Sequence, residues 1–220
     1  PYLGSGGAEE AIDLLPGALP AVLMNCAERI ADTQVLNVDN YGGARAMTRH
    51  LLDSGHRRIA FIAGPDDNFD ARERLRGYRD ELRERCPQVP PRVLPGDFDE
   101  ASGYRAGQAL LQGQRPDMVF AANDMMALGC LFAFTNAGLR VPDDIALAGF
   151  DDVPMARYVH PALTTMRVDI AGFGARAMQL LIAALEPQAA APAAEAPLAT
   201  DIVPQLIVRA SSGQRGTAMD

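Results

Sequence analysis

The segment MTRHLLDSGHRRIAFIAGPDDNFDARERLRGYRDEL, residues 47–82, reads as helix, strand, helix with sharp boundaries. Ala44, Met47, Leu51 and Leu52 recur at helical spacing, and Gly55 closes that helix. Ile59 to Ala63 is an unbroken apolar run that stops at Gly64-Pro65, as a buried strand does. Ala71, Leu75, Tyr78 and Leu82 then mark one face of a second helix.

The same rhythm runs outward in both directions. Upstream, Ala21–Met24 and Val35–Val38 are short apolar runs. Downstream come a weak strand at Val93-Leu94, a helix over Ala101–Leu111 and a strand at Met118–Ala121. A helix capped by Asn123 or Asp124 follows, with Leu128, Leu131 and Phe132 expected inward and Gly138 past its end. A strand from Ile145 to Phe150 comes next, and a helical stripe runs through Ile170, Phe173, Ala177, Leu180, Leu181 and Leu185. Regular βα alternation with nearly continuous apolar strands predicts an α/β chain, parallel sheet flanked by helices. Residues 186–199, EPQAAAPAAEAPLA, read as a surface loop before a last strand around Ile202–Val208, and the final residues read as a frayed tail.

Composition excludes several classes. The 220 residues are 48% hydrophobic and 22% charged, an ordinary globular balance, and no apolar run reaches the roughly 18 residues of a membrane helix. A net charge of −8 repels a phosphate backbone, so this stretch does not grip nucleic acid by charge. Cys26, Cys86 and Cys130 form no CxxC pair, which fits a reduced, cytoplasmic setting rather than a disulfide framework. The chain begins at Pro1 with no basic-then-apolar leader and reads as a processed or truncated piece.

Chemistry-bearing motifs are few. GSGG at residues 4–7 lacks both phosphate-loop spacings and reads as a loop before a helix. His50, His56 and His160 have no ligand-like spacing, so no metal is expected, and solvated or capping roles fit them better. There is no GxSxG elbow. Asp97-Phe98-Asp99-Glu100 lacks calcium-loop spacing, and Asp99 and Glu100 suit the start of a helix.

In parallel sheets ligands sit beyond the carboxyl ends of strands, and those positions here are polar: Asn25, Asp39, Gly64 to Arg74, Asp97, Phe98, Asn123, Asp124, Asp151 and Asp152. Phe98 beside a carboxylate suits a sugar, with the ring covering the apolar C–H face. Arg72 and Arg74, expected in the first turn of a helix, are electrostatically misplaced there unless one serves a ligand or an acid, a surface ion pair with Asp70 or Glu73 being the other reading. In Asn123-Asp124 and Asp151-Asp152, one residue of each pair can cap a helix while the other meets a hydroxyl.

These strand-end residues lie in segments similar to one known family: GHRRIAFIAGP (55–65), ARERLRGY (71–78), GDFDEASGY (96–104), FAANDMMALG (120–129), AGLRVPDDIALAGFDDVPMARYVHPALTTMR (137–167) and LIVR (206–209). In this order they resemble the effector-binding core of the lactose-repressor (LacI/GalR) family of bacterial transcription regulators. The resemblance implies two Rossmann-like subdomains of the type I periplasmic-binding-protein kind, with the N-terminal part missing. Residues 1–38 plus 165–200 would form the N-terminal subdomain, residues 39–163 plus 201–212 the C-terminal one, and 213–220 a tail.

It also implies a small effector in the cleft, a homodimer, and operator DNA bound only through a helix-turn-helix domain absent from this chain. Neither enzyme activity, nor a cofactor, nor a membrane partner is implied. Matching motifs carry over Arg74, Phe98, Asn123 and Asp151 as effector contacts, with Asp70 at a variable contact position. Asn25 stands where the family often has Asp, and Val168 where it often has Gln. Arg74, Asn123 and Asp151 together favour a polyhydroxylated ligand, a sugar before a purine. The rival readings are a periplasmic sugar-binding protein of a transport system and a sugar-acting enzyme using Asp97 and Asp151.

Overall fold

The fold comes from a computed structural model that describes residues 19–27, 33–185 and 202–213. The expectations for GSGG, for the 186–199 loop and for the tail beyond Gly213 lie outside the described residues.

Among the described residues eight strands and five α-helices follow one another: β1 (Val22–Met24), β2 (Gln34–Leu36), α1 (Asn40–Asp53), β3 (Ile59–Ile62), α2 (Phe69–Arg85), β4 (Arg92–Leu94), α3 (Glu100–Leu111), β5 (Met118–Ala121), α4 (Asp124–Asn136), β6 (Ala146–Ala148), β7 (Thr165–Arg167), α5 (Ile170–Leu185) and β8 (Gln205–Ile207). Strands β4-β3-β5-β6 pair in that order as a parallel four-stranded sheet. β1 and β2 form a separate parallel pair, and β7 and β8 an antiparallel one.

One local device starts each of these five α-helices. An Asp or Asn side chain accepts a hydrogen bond from the backbone N–H three residues on: Asp39 from Gly42, Asn68 from Ala71, Asp99 from Ser102, Asn123 from Met126 and Asp169 from Gly172. Each satisfies a donor that the first turn leaves orphaned. The polar residues after the strands therefore begin the helices that cover them.

The core sits between the four-stranded sheet and helices α1 to α4. Phe61, Phe120 and Tyr78 have no exposed surface, with Phe61 stacked on Tyr78 at 4.9 Å and edge-on to Phe120 at 5.1 Å. The buried Tyr78 hydroxyl donates to Ile59 O at 2.8 Å. Helices α3 and α4 touch backbone to backbone. A Cβ on Gly129 would stand 2.0 Å from Glu100 O, and one on Gly103 2.1 Å from Met126 O, so neither position accepts a side chain.

Two sequence expectations shift here. Phe132 points outward, 61% exposed, while Met126, Ala127, Cys130, Leu131 and Phe134 face the core. The helix is apolar on nearly every side, so its periodicity does not single out an inner face. His56 is neither solvated nor a cap: it is 1% exposed and its Nε2 lies 2.7 Å from Ser212 O.

The segments leading out of the sheet are laced together. Val38 bridges Ile202, Ala148 bridges Thr164 and Asp151 bridges Arg167. Ser211 locks the chain end by donating to Leu147 O at 2.6 Å and accepting from Thr164 N at 2.8 Å.

Candidate effector site

Helix α2 begins at Phe69, which puts Arg74 in its second turn rather than its first, pointing at the carboxyl ends of β3, β5 and β6. Arg74 is 6% exposed. Its Nε donates to Asn40 Oδ1 at 2.7 Å, its Nη1 donates to Ala122 O at 2.6 Å, and Nη1 also lies 3.1 Å from Asp151 Oδ1. The guanidinium stands over the Phe150 ring at 3.9 Å and nearer the rim of Phe98 at 5.8 Å. Its Nη2 donates to no acceptor among the described residues. A buried cation fixed on two nitrogens with a third unspent is a built donor site for an oxygen-rich ligand.

Phe98 follows β4 in the left-handed backbone region, φ 62°, and its ring packs on Gly64, where a Cβ would fall 2.5 Å from the ring. Gly64 at the end of β3 is thus what lets the aromatic lie flat across the strand ends. Asn123 caps α4 through its oxygen and donates through Nδ2 to Phe98 O at 2.8 Å, holding the strained turn. The same residue thus caps α4 and ties down the Phe98 turn.

Asp70 accepts from Asn40 Nδ2 at 2.9 Å. Partial burial pushes its carboxyl above the usual range against the pull of Arg74 and Asn40. Asp151 is shifted the same way: the surrounding protein strips water from it more than Arg74 compensates, although its side chain keeps 32% exposure. Two carboxylates thus flank one arginine, Asp151 at Nη1 and Asp70 through Asn40 on the Nε side. Asn25, at the end of β1, is exposed with φ 53°, and no hydrogen bond joins it to this cluster among the described residues. The site as described therefore unites Asp70, Arg74, Phe98, Asn123 and Asp151, and leaves Asn25 apart.

Two participants, Asn40 and Phe150, were not singled out from sequence, and Asp124, expected there as a helix cap or a hydroxyl contact, takes a different place. Asn40 bridges Asp70 and Arg74, Phe150 floors the guanidinium, and Asp124 is wholly buried behind Asp151. Asp124 accepts from Thr165 Oγ1 at 2.6 Å and from Val153 N at 2.9 Å, and burial raises its carboxyl to about 7. The Asp152 side chain beside it is 1% exposed and behaves oppositely. Burial works to raise it, but Arg209 at 2.5 Å and Arg167 at 2.7 Å hold it below the ordinary carboxylate value. The position of Asn40 directly after the strand-end Asp39 was the available signal for the first of these; partner identity separates the last two, and no spacing rule encodes it.

Among the described residues no His, Cys, Asp or Glu cluster could hold a metal, and no helix is long and apolar enough to cross a membrane. On the outer face of α3 and α4, away from the strand ends, an apolar groove of about 550 Å³ is lined by Tyr104, Leu128 and Phe132, with Glu100 and Arg105 also lining it.

Residues 48–212 match the periplasmic binding protein-like domain family. The chain is 37% identical over 196 residues to the HTH-type transcriptional repressor PurR of Escherichia coli O1:K1, covering 88% of this chain and 56% of that protein. It spans about half the length of the curated relatives it matches. The structure is similar to a sugar-binding transcriptional regulator of the LacI family from Escherichia coli complexed with phosphate, with TM-score 0.83, 26% identity, and 98% of this chain and 75% of the other covered. It is also similar to the lac repressor dimer bound to operator and the anti-inducer ONPF, with TM-score 0.75, 27% identity, and 93% and 69% covered.

Proposed function

Because the chain belongs to the periplasmic binding protein-like family, as the effector-binding core of a lactose-repressor (LacI/GalR) regulator, we propose that it binds a small polyhydroxylated effector, a sugar or sugar derivative, at Asp70, Arg74, Phe98, Asn123 and Asp151. Asn25 joins these from the facing subdomain when the cleft is occupied. The effector controls operator binding by a helix-turn-helix domain carried outside this chain. The protein acts in the cytoplasm without catalysis or cofactor.

One observation carries the reading: Arg74 is buried, oriented by Asn40 on Nε and by Ala122 and Asp151 on Nη1, and left with Nη2 unspent on a guanidinium that stands over aromatic rings. Sugar hydroxyls both donate and accept, so a mixed donor–acceptor set under a ring suits them. The relatives are named as transcriptional regulators, which favours regulation over the transport role open to the same fold.

The subdomains in this reading are 1–38 plus 165–200 and 39–163 plus 201–212. The bridges Val38–Ile202 and Asp151–Arg167 fall near the crossings between them. A ligand that prefers one arrangement of the subdomains shifts the balance between arrangements.

The homodimer uses the α3–α4 groove. Exposed Phe132 and half-buried Tyr104 supply an apolar centre, and a rim carrying both Glu100 and Arg105 is self-complementary under two-fold pairing. The structurally similar lac repressor is a dimer. Sedimentation of the parent should show a dimer and of Phe132→Asp a monomer. A monomeric parent overturns this interface.

The effector reading is tested by thermal shift against mono- and disaccharides, sugar phosphates and purines. A ligand at 100 times its Kd adds about 2.7 kcal/mol to folding. The expected result is a shift with one sugar class that disappears in Arg74→Ala, where charge-assisted bonds worth about 1.5–3 kcal/mol are lost. A shift with purines alone overturns the sugar assignment, and an undiminished shift in Arg74→Ala overturns the site.

A further inference from the structure

We propose that Asn40 is the positioning residue of the effector site: its buried side-chain amide sets the Arg74 guanidinium and the Asp70 carboxylate in a fixed relative orientation and ties both to the segment that enters α1. The inference rests on the reading of Arg74 and Asp70 as effector contacts.

Asn40 is 1% exposed, so it acts on a ligand only through its neighbours. Its Oδ1 accepts from Arg74 Nε at 2.7 Å, and its Nδ2 donates to Asp70 Oδ1 at 2.9 Å and to Val38 O at 3.3 Å. An amide alone offers an acceptor and a two-proton donor on one short, rigid side chain. A carboxylate there would accept from Arg74 and repel Asp70; a hydroxyl is too short to serve both. Asn40 occupies the first position of α1, fixed by the Asp39 cap and by its own N–H donating to Val38 O at 2.7 Å. Asp39 N in turn donates to Ile202 O at 2.9 Å.

The amide is therefore anchored to the laced segments Val38 and Ile202 rather than to the ligand-facing turns. Movement of those segments reaches the cation through one hydrogen bond. With Nε held by Asn40 and Nη1 by Ala122 and Asp151, the guanidinium plane cannot rotate, and Nη2 stays aimed at the open side. The charged groups facing the amide are Arg74 and Asp70, with Asp151 on the far side of the guanidinium.

The test needs no effector. In the full chain, NMR follows hydrogen exchange at Arg74 Nε–H and the titration midpoint of the Asp70 carboxyl in the parent, Asn40→Ala and Asn40→Asp. In Asn40→Ala the Arg74 Nε–H should exchange about tenfold faster, the loss expected of one hydrogen bond to a charged group, and the Asp70 midpoint should rise as its donor is lost. In Asn40→Asp the acceptor persists, so exchange stays within about twofold of the parent while the Asp70 midpoint rises further. If Asn40→Ala does not fold, Asn40→Asp and Asn40→Ser decide by the same two readouts. A folded Asn40→Ala in which either readout stays at the parent value overturns the proposal. Failure of every sugar in the thermal-shift screen would overturn the ligand reading and leave these two readouts unmoved.

Discussion

Strands β3 to β6 and the pair β1–β2 are both parallel and both apolar, yet all four residues of β3 and of β5 are buried whereas β1 runs from half-buried to exposed at Met24. Their helices differ in the same way. Helix α1 buries Ala44, Met47, Leu51 and Leu52, while the more apolar α5 buries Phe173 alone and leaves Ile170, Met178, Ile182 and Leu185 at least half exposed. Apolar content does not decide burial; coverage of both faces does. Strands β3, β5 and β6 are buried throughout, whereas α5 keeps an open apolar face.

The largest effect that could break this contrast is in the sheet. Phe120→Ala removes a ring with no exposed surface and should cost about 3–5 kcal/mol of stability, read as a lower urea midpoint. A loss under about 1 kcal/mol would mean the sheet is no better packed than α5.

The second prediction sharpens the contrast at the sheet's carboxyl end. Asp124, buried among neutral donors, has a carboxyl raised to about 7 when folded and near its ordinary value when unfolded. The folded state then binds more protons than the unfolded state between those values. The stability Asp124 contributes is fully present below about pH 4 and is lost as pH rises through about 7. Relative to Asp124→Asn, the parent should therefore weaken by a few kcal/mol from pH 4 to 7, at about 1.4 kcal/mol per pKa unit. Thermal melts at stepped pH check this. Asp70, also raised, bends both curves alike and drops out of the difference, whereas the charge of Asp151, which helps raise Asp124, is part of what the difference reads. Parallel curves would mean the pocket around Asp124 is wet.

The smallest effect is on the open face. Met178→Ser, at a position 56% exposed, should change stability by no more than about 0.5 kcal/mol in the same urea titration. A change comparable to that of Phe120→Ala would show that α5 is covered after all.

The contrast also shows how far the sequence could be read. Strand and helix order was legible because Gly64-Pro65, Gly55 and Gly138 punctuate clean apolar runs, and because Asx residues stand where helices start. Facing was legible only for helices with a polar side: α1 was placed correctly, whereas the uniformly apolar α4 hid the outward turn of Phe132. In the candidate site, the positions after the strands pointed to a wider polar set, and the resemblance to the LacI/GalR family singled out Arg74, Phe98, Asn123 and Asp151 within it. What topology could not supply was pairing. Nothing local tells that Asn40 would link Asp70 to Arg74, thirty-four residues away, or that Asp152 would meet three arginines while Asp124 met none.

Among the described residues four that are not glycine hold positive φ: Asn25, Phe98, Asp151 and Asp152, all just beyond strands. Each conformation costs about 1 kcal/mol or more relative to glycine. A protein engineer seeking heat resistance would begin there, replacing them with glycine. On the proposed reading, three of the four are effector contacts. Such a campaign would harvest sturdier variants that no longer hear their signal, and a screen for melting temperature alone would select for deaf regulators.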